Sequence, residues 1–213
     1  MACPLCQKRT AKRWCPAKGE RICAVCCGTE REVTVDCPSD CEFLIAARRY
    51  EADHRPSLPP EAVPYPDVAV TVELLHELRP VLAELGLEIL KLSREHPPMV
   101  DADVLAALHA LTESCRTLVS GLYYEKPPEA GYARALYVRL AEAIARIRAR
   151  QAERVGFAAL KDSEVLALLV FLLRLARYHS NGRPRSRAFL DFLRAQYPKQ
   201  AGLAPEPPRI IVP

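Results

Sequence analysis

Eight cysteines crowd into the first 41 residues: Cys3, Cys6, Cys15, Cys23, Cys26, Cys27, Cys37 and Cys41. Few large apolar residues lie among them, so this stretch needs cross-links to hold a fold. An even number of cysteines suits a disulfide framework in a secreted domain or a metal module in a reducing compartment. The start, Met-Ala-Cys-Pro-Leu-Cys, has no apolar h-region of the kind a secretory or lipoprotein signal carries. The longest apolar run, Val165 to Leu173, is nine residues, whereas a membrane span needs about 20. A reduced, cytoplasmic setting without a membrane is therefore expected, and there the same density of cysteines reads as zinc ligation.

Two CxxC pairs, Cys3-Pro-Leu-Cys6 and Cys23-Ala-Val-Cys26, carry the strongest signal. The turn within each pair brings two sulfurs to one ion and leaves backbone N–H groups to bond the thiolates, so two pairs complete a closed tetrahedral site. Cys15 lies between them, on a segment that reads as a hairpin turning at Lys18-Gly19. Cys37-Pro-Ser-Asp-Cys41 runs into a helix start, with Ser39 and Glu42 placed for a capping box and Phe43, Ala46, Ala47 and Tyr50 continuing the face. The preferred assignment is interleaved: Cys3, Cys6, Cys23 and Cys26 on one zinc, and Cys15, Cys27, Cys37 and Cys41 on a second. Sequential pairing stays open, Cys27 is the least constrained ligand, and His54 is an alternative donor. Both ions are expected to be structural, supplying the folding energy of the segment.

The spacing Cys3-x2-Cys6-x8-Cys15-x7-Cys23-x2-Cys26 resembles the B-box zinc finger, a RING-related cross-brace, over the first fifth of the chain. Lys18 stands where B-boxes place a further ligand, and Cys37 and Cys41 stand where they usually carry histidines. The resemblance implies two zinc ions and a protein-binding module, without implying ubiquitin-ligase activity.

Beyond the cysteines the composition divides the chain. Residues 1–52 form the module and its exit helix. Residues 53–67 hold Pro56, Pro59, Pro60, Pro64 and Pro66 and read as an extended linker. Residues 68–199 show helical periodicity, and 200–213 is a Pro-rich tail. Within 68–199 the punctuation predicts about five helices. They cover 68–95, kinked or broken at Pro80; a helix to about 122, capped by Asp101 or Asp103; 131–154; 164–179, capped by Asp162 or Ser163; and 185–196. The run Val165–Leu173 is apolar on every side and belongs at the centre of a bundle, and Cys115 sits on a core stripe. The expected fold is mainly α: a two-zinc module of hairpin plus helix, followed by an α-helical bundle.

No HExxH, GxSxG, P-loop or GxGxxG motif occurs, and thiolate-saturated zinc has no open position for a reacting water. The expected function is that of a non-enzymatic zinc-binding adaptor or regulator whose partner is a protein. A nucleic-acid reading rests on the basic finger and on Arg183, Arg185, Arg187 and Arg194. The net charge of +4 is too small to imply it. Arg139, Arg146, Arg150 and Arg154 read as a solvated helix face. A third reading is a thiol-based redox sensor triggered at Cys26-Cys27.

Overall fold

The N-terminal module is built on one hairpin, β1 (Arg13–Cys15) paired antiparallel with β2 (Glu20–Ile22), Trp14 facing Arg21. Its turn is closed by the N–H groups of Lys18 and Gly19 donating to the Cys15 carbonyl, and Gly19 takes a φ of +66° that an L side chain would resist. A short helix, α1 (Ala24–Glu30), follows directly, and α2 (Glu42–Asp53) leaves the module. These observations come from a computed structural model that describes residues 1–55, 59, 62–122, 124–155 and 160–198. The expected tail, 200–213, and much of the expected linker lie outside the described residues.

Six helices make the bundle: α3 (Val72–Glu77), α4 (Arg79–Glu95), α5 (Asp101–Val119), α6 (Gly131–Val155), α7 (Asp162–His179) and α8 (Ala188–Gln196). The chain is thus mainly α, with one two-stranded hairpin among the described residues. Pro80 acts as a break: α3 ends before Leu78 and α4 restarts with Pro80 in its first turn, where a missing N–H costs nothing. In the expected central run Val165–Leu173, every side chain but Phe171 is buried, and α7 packs on α5 and α8. Each such Leu or Val contributes roughly 1.5–3 kcal/mol on burial. Cys115 packs half-buried against the same core. Residues 64–68, most of which fall in the expected linker, lie against the bundle: Arg174 donates to the carbonyls of Pro64 and Val68 at 3.0 and 3.1 Å, and Tyr65 packs on the core.

The start of α5 is capped by one of its two expected residues, whereas those of α7 and α2 differ from expectation. Asp103 Oδ2 accepts from the Val100 N–H at 3.0 Å and so caps α5. Asp101 turns away and accepts from Ser186 Oγ (2.8 Å) and from the N–H groups of Phe189 (3.1 Å) and Leu190 (3.2 Å), closing the start of α8. For α7 the Lys161 N–H donates to Glu164 Oε2 at 2.9 Å, in place of a cap by Asp162 or Ser163. Ser39 caps nothing: α2 begins after Cys41, and Ser39 Oγ donates instead to Asp191 Oδ1 of α8 at 2.9 Å.

Asp101 therefore locks α5 to α8 from a site that is 1% exposed. Asp101→Ala strands two helix N–H groups and a buried hydroxyl, and is expected to lower the unfolding free energy by about 2–4 kcal/mol, read by urea denaturation. A loss below about 0.5 kcal/mol would contradict this role.

Candidate metal centre

Four sulfurs meet where the N-terminal loop, the hairpin and α1 converge. Cys3 and Cys6 sit on a tight turn in which the Gln7 N–H donates to the Cys3 carbonyl at 2.7 Å, while the Cys3 N–H donates to Arg9. Cys23 follows β2 directly and is the N-cap of α1, its thiol accepting from the Cys26 N–H at 3.3 Å; Cys26 lies in the first turn. The ligand atoms of Cys3, Cys6, Cys23 and Cys26 all lie within 4.8 Å of one another. Two thiolates on one tetrahedral zinc are separated by ~3.8 Å, given Zn–S near 2.3 Å; the Cys6 and Cys23 sulfurs are 3.9 Å apart. Cys3, Cys23 and Cys26 are buried and Cys6 is half-buried, which closes the site to a substrate.

The electrostatics fit a cation. Burial pushes the Cys3 thiol up, but the N–H groups of Cys23 (3.2 Å to Sγ), Cys6 and Leu5 outweigh it and hold it below the usual thiol range. The Lys8 N–H, joined by that of Arg9, brings Cys6 down to about 6 despite burial. Cys26 is pushed up to about 12, first by the hydrogen bond with the Cys23 thiol and then by burial. Packed sulfurs cannot all ionise against one another unless a cation sits among them. The residues present therefore fit a metal ion held by four thiolates. Among the described residues this is the group that meets the distance.

The other four cysteines are brought to one place but not to that distance. Cys15 at the end of β1, Cys27 in α1, and Cys37 and Cys41 before α2 line a narrow cavity of about 10 Å³, walled by Ile22, Val35 and Leu44. This is room for one ion or one water and excludes an organic substrate. Burial pushes the Cys37 thiol up, reinforced by the negative charge of Cys41, Cys15 and Glu32, although the Glu32 N–H opposes it. Any second site thus requires an inward movement of these sulfurs.

Three of the four arginines expected to meet phosphate are spent inside the chain. Arg183 donates to the carbonyl of Arg31 at 2.8 Å and, more weakly, to that of Gly28 at 3.4 Å, which tethers the end of α1. Arg187 pairs with Asp36 at 2.5 Å and donates to the Met99 carbonyl, and Arg194 pairs with Asp191 at 2.6 Å. Arg185 donates its backbone N–H to the Glu32 carbonyl and leaves its side chain exposed. The residues that sequence patterning misses are those the arginines and α8 meet: Glu32, Asp36, Arg48, Asn181 and Asp191. Arg48 bridges Glu32 and Asp191 at 2.6 and 2.5 Å, and Asn181 Nδ2 donates to the second Glu32 oxygen at 2.7 Å. Partners some 150 positions apart leave no periodic trace in a sequence.

No helix among the described residues is long and apolar enough to cross a membrane. Comparison with protein-family models, with curated proteins and with solved structures finds no match for this chain, so the metal centre stands on its own donor set.

Proposed function

We propose that this protein is a non-enzymatic, zinc-dependent adaptor of the cytoplasm, in which a cross-braced N-terminal module resembling a B-box recognises another protein. The observation that carries the reading is the gathered set of four thiols around Cys6 and Cys23, 3.9 Å apart and closed off by burial. Four thiolates saturate a tetrahedral ion, so such a metal organises structure and offers no position to a reacting water. Soft, all-sulfur donation selects zinc over harder divalent ions. A second zinc on Cys15, Cys27, Cys37 and Cys41 belongs to the same reading, supported by their shared cavity. It would draw the sulfurs inward and fasten the hairpin to the start of α2. The helical bundle serves as the body on which the module is carried.

The nucleic-acid reading has less support, because Arg183, Arg187 and Arg194 already hold carbonyl or carboxylate partners. The thiol-sensor reading rests on Cys26-Cys27 alone.

Elemental analysis with native mass spectrometry of the full chain tests the metal, with two zinc ions per chain expected. One zinc would restrict the site to Cys3, Cys6, Cys23 and Cys26, and iron or no metal would overturn the reading. For the adaptor role, the full chain and its Cys3→Ser/Cys6→Ser variant are tagged and purified from cells. A protein retained by the wild type and lost from the variant is expected; equal retention, or none with either, counts against it.

A further inference from the structure

Cations of the helical part are in many cases matched to acids, as Arg48, Arg116, Arg139 and Arg150 illustrate, although exposed Arg49, Arg79, Arg94, Arg134 and Arg177 form no ion pair among the described residues. Around the hairpin none is matched. Among the described residues Lys8, Arg9, Lys12, Arg13, Lys18 and Arg21 take part in no ion pair, and all but Arg13 are exposed. Arg13 lies over the Phe43 ring, 4.7 Å from its centroid. In the midst of these cations stands Trp14, the single tryptophan of the chain and 53% exposed.

The strand register explains how they come together. Trp14 is directly opposite Arg21, and the pleat turns both away from the buried Cys15 and Ile22. Lys12, two residues before Trp14, shares that outer face, and Arg21 Nη1 donates to the Lys12 carbonyl at 3.0 Å, which holds the guanidinium there. Trp14 borders the cavity of Cys15 and Cys41, and about half of the residue stays exposed. A tryptophan fixed on a hairpin has little freedom left to lose on binding and is the residue type most often found to anchor an interface.

The positive patch is local. Residues 1–23 carry six cations and one acid, Glu20, whereas residues 24–53 carry three cations and seven acids. Four thiolates on a divalent ion would add two negative charges behind the hairpin. A polyphosphate strand must neutralise several charges in line, and beyond the hairpin it would meet the exposed carboxylates of Asp40, Glu42 and Asp53, which no cation pairs among the described residues. A short acidic segment is the better complement.

We propose that the outer face of the hairpin, formed by Lys12, Trp14 and Arg21 with Lys18 at the turn, docks a short acidic segment of a partner protein that lays one apolar side chain against Trp14. This inference rests on the adaptor reading and names the chemistry of its partner.

The zinc-loaded full chain, panned against phage-displayed random dodecapeptides, is compared with Trp14→Ala and with the double reversal Lys12→Glu/Arg21→Glu. The wild type is expected to enrich Asp- and Glu-rich peptides containing an aromatic or aliphatic residue. Affinity for these should fall about tenfold or more in Trp14→Ala, and the double reversal should select Lys- and Arg-rich peptides instead. Unchanged zinc content shows that the variants keep the module, and should Trp14→Ala lose metal, the double reversal alone decides. Peptides without acidic bias, no enrichment, or equal binding by both variants would overturn the proposal. So would retention of labelled oligo(dT) or oligo(U) that the variants abolish, which assigns the face to nucleic acid, or a dimer that they dissolve, which assigns it to a second copy. A cellular protein that copurifies equally with wild type and both variants removes this surface but leaves the adaptor reading standing. If peptides bind and no cellular protein copurifies, the adaptor reading is what fails.

Discussion

Chelating the metal from Cys3, Cys6, Cys23 and Cys26 is expected to unfold the hairpin and α1 while the helical bundle persists. Among the described residues the module's own core holds the cysteines with Ile22 and Val35, and Leu44 of α2 is buried against the same cavity. Burying three such side chains contributes roughly 4–9 kcal/mol, against about 1.5 kcal/mol of conformational entropy for every residue ordered. Structural zinc in small finger peptides supplies roughly 10–16 kcal/mol, which is the term able to close that gap. The bundle has a separate core running through α4 to α8 and does not depend on the ion. Trp14, as the single tryptophan, reports the hairpin selectively. Its emission should shift to the red on chelation, with new trypsin cleavage among Lys8, Arg13, Lys18 and Arg21, while most helical circular dichroism remains. Unchanged Trp14 emission after complete metal removal would sink the idea that the ion is structural.

Acid should have the same effect. The metal-bound state needs four deprotonated thiols, whereas unfolded thiols hold their protons below about pH 8.5. The unfolded state therefore binds more protons, and stability falls as pH falls. Cys6, lowered to about 6, is the thiol that stays ionised longest on the way down. Cys26, raised to about 12 in the absence of an ion, depends most on the cation for its ionised form. Trp14 emission followed on acidification should therefore report release before the bundle melts.

Much of this was legible in the sequence because it is local. The CxxC pairs at Cys3 and Cys23 advertise a shared ion through spacing alone, and Gly19 marks the turn between β1 and β2 through its backbone freedom. The all-round apolar run of α7 points to the bundle centre without reference to any neighbour. What escaped depends on distant partners. Asp101 and Asp103 are chemically equal candidates for one cap, and only the arrival of α8 separates them. The cluster from Arg183 to Arg194 looks free for phosphate until Asp36, Asp191 and the end of α1 are seen against it. The approach of α8 to α4 is equally silent: a Cβ on Gly86 would come within 3.3 Å of the Tyr197 ring, yet a glycine inside a helix pattern reads only as a weak point. For the second cysteine set, spacing predicts membership, and the fold gathers the four residues around one cavity without bringing their sulfurs to the distance of the first set.

Glu32→Ala is expected to be the most damaging single substitution outside the metal ligands, because one carboxylate joins the module to the bundle. Glu32 is 1% exposed and both its oxygens are used, one by Arg48 Nη2 at 2.6 Å and the other by Asn181 Nδ2 at 2.7 Å. Burial alone would lower the Arg48 pKa, but the bonds to Asp191 and Glu32 reverse this and hold it above its usual value. Removing Glu32 leaves a half-buried guanidinium with one carboxylate and strands the Asn181 amide, a situation that costs about 3–5 kcal/mol in buried pairs. Glu32→Gln keeps the volume and one acceptor, but its amide would face the Asn181 Nδ2 donor. Asn181 cannot simply flip, because its Oδ1 accepts from the Arg183 N–H at 3.0 Å. A loss of about 1–3 kcal/mol is expected for that variant. The exposed fork of Arg139 on Glu95 supplies the contrast: Arg139→Ala should cost no more than about 1 kcal/mol. Urea denaturation ranks the three variants, and hydrogen exchange should place the new opening at residues 181–191 and α2, with the amides of α5 and α7 still protected. With zinc content unchanged, a Glu32→Ala protein no less stable than Arg139→Ala would mean that the module rides loosely on the bundle and that Glu32 does not hold it there.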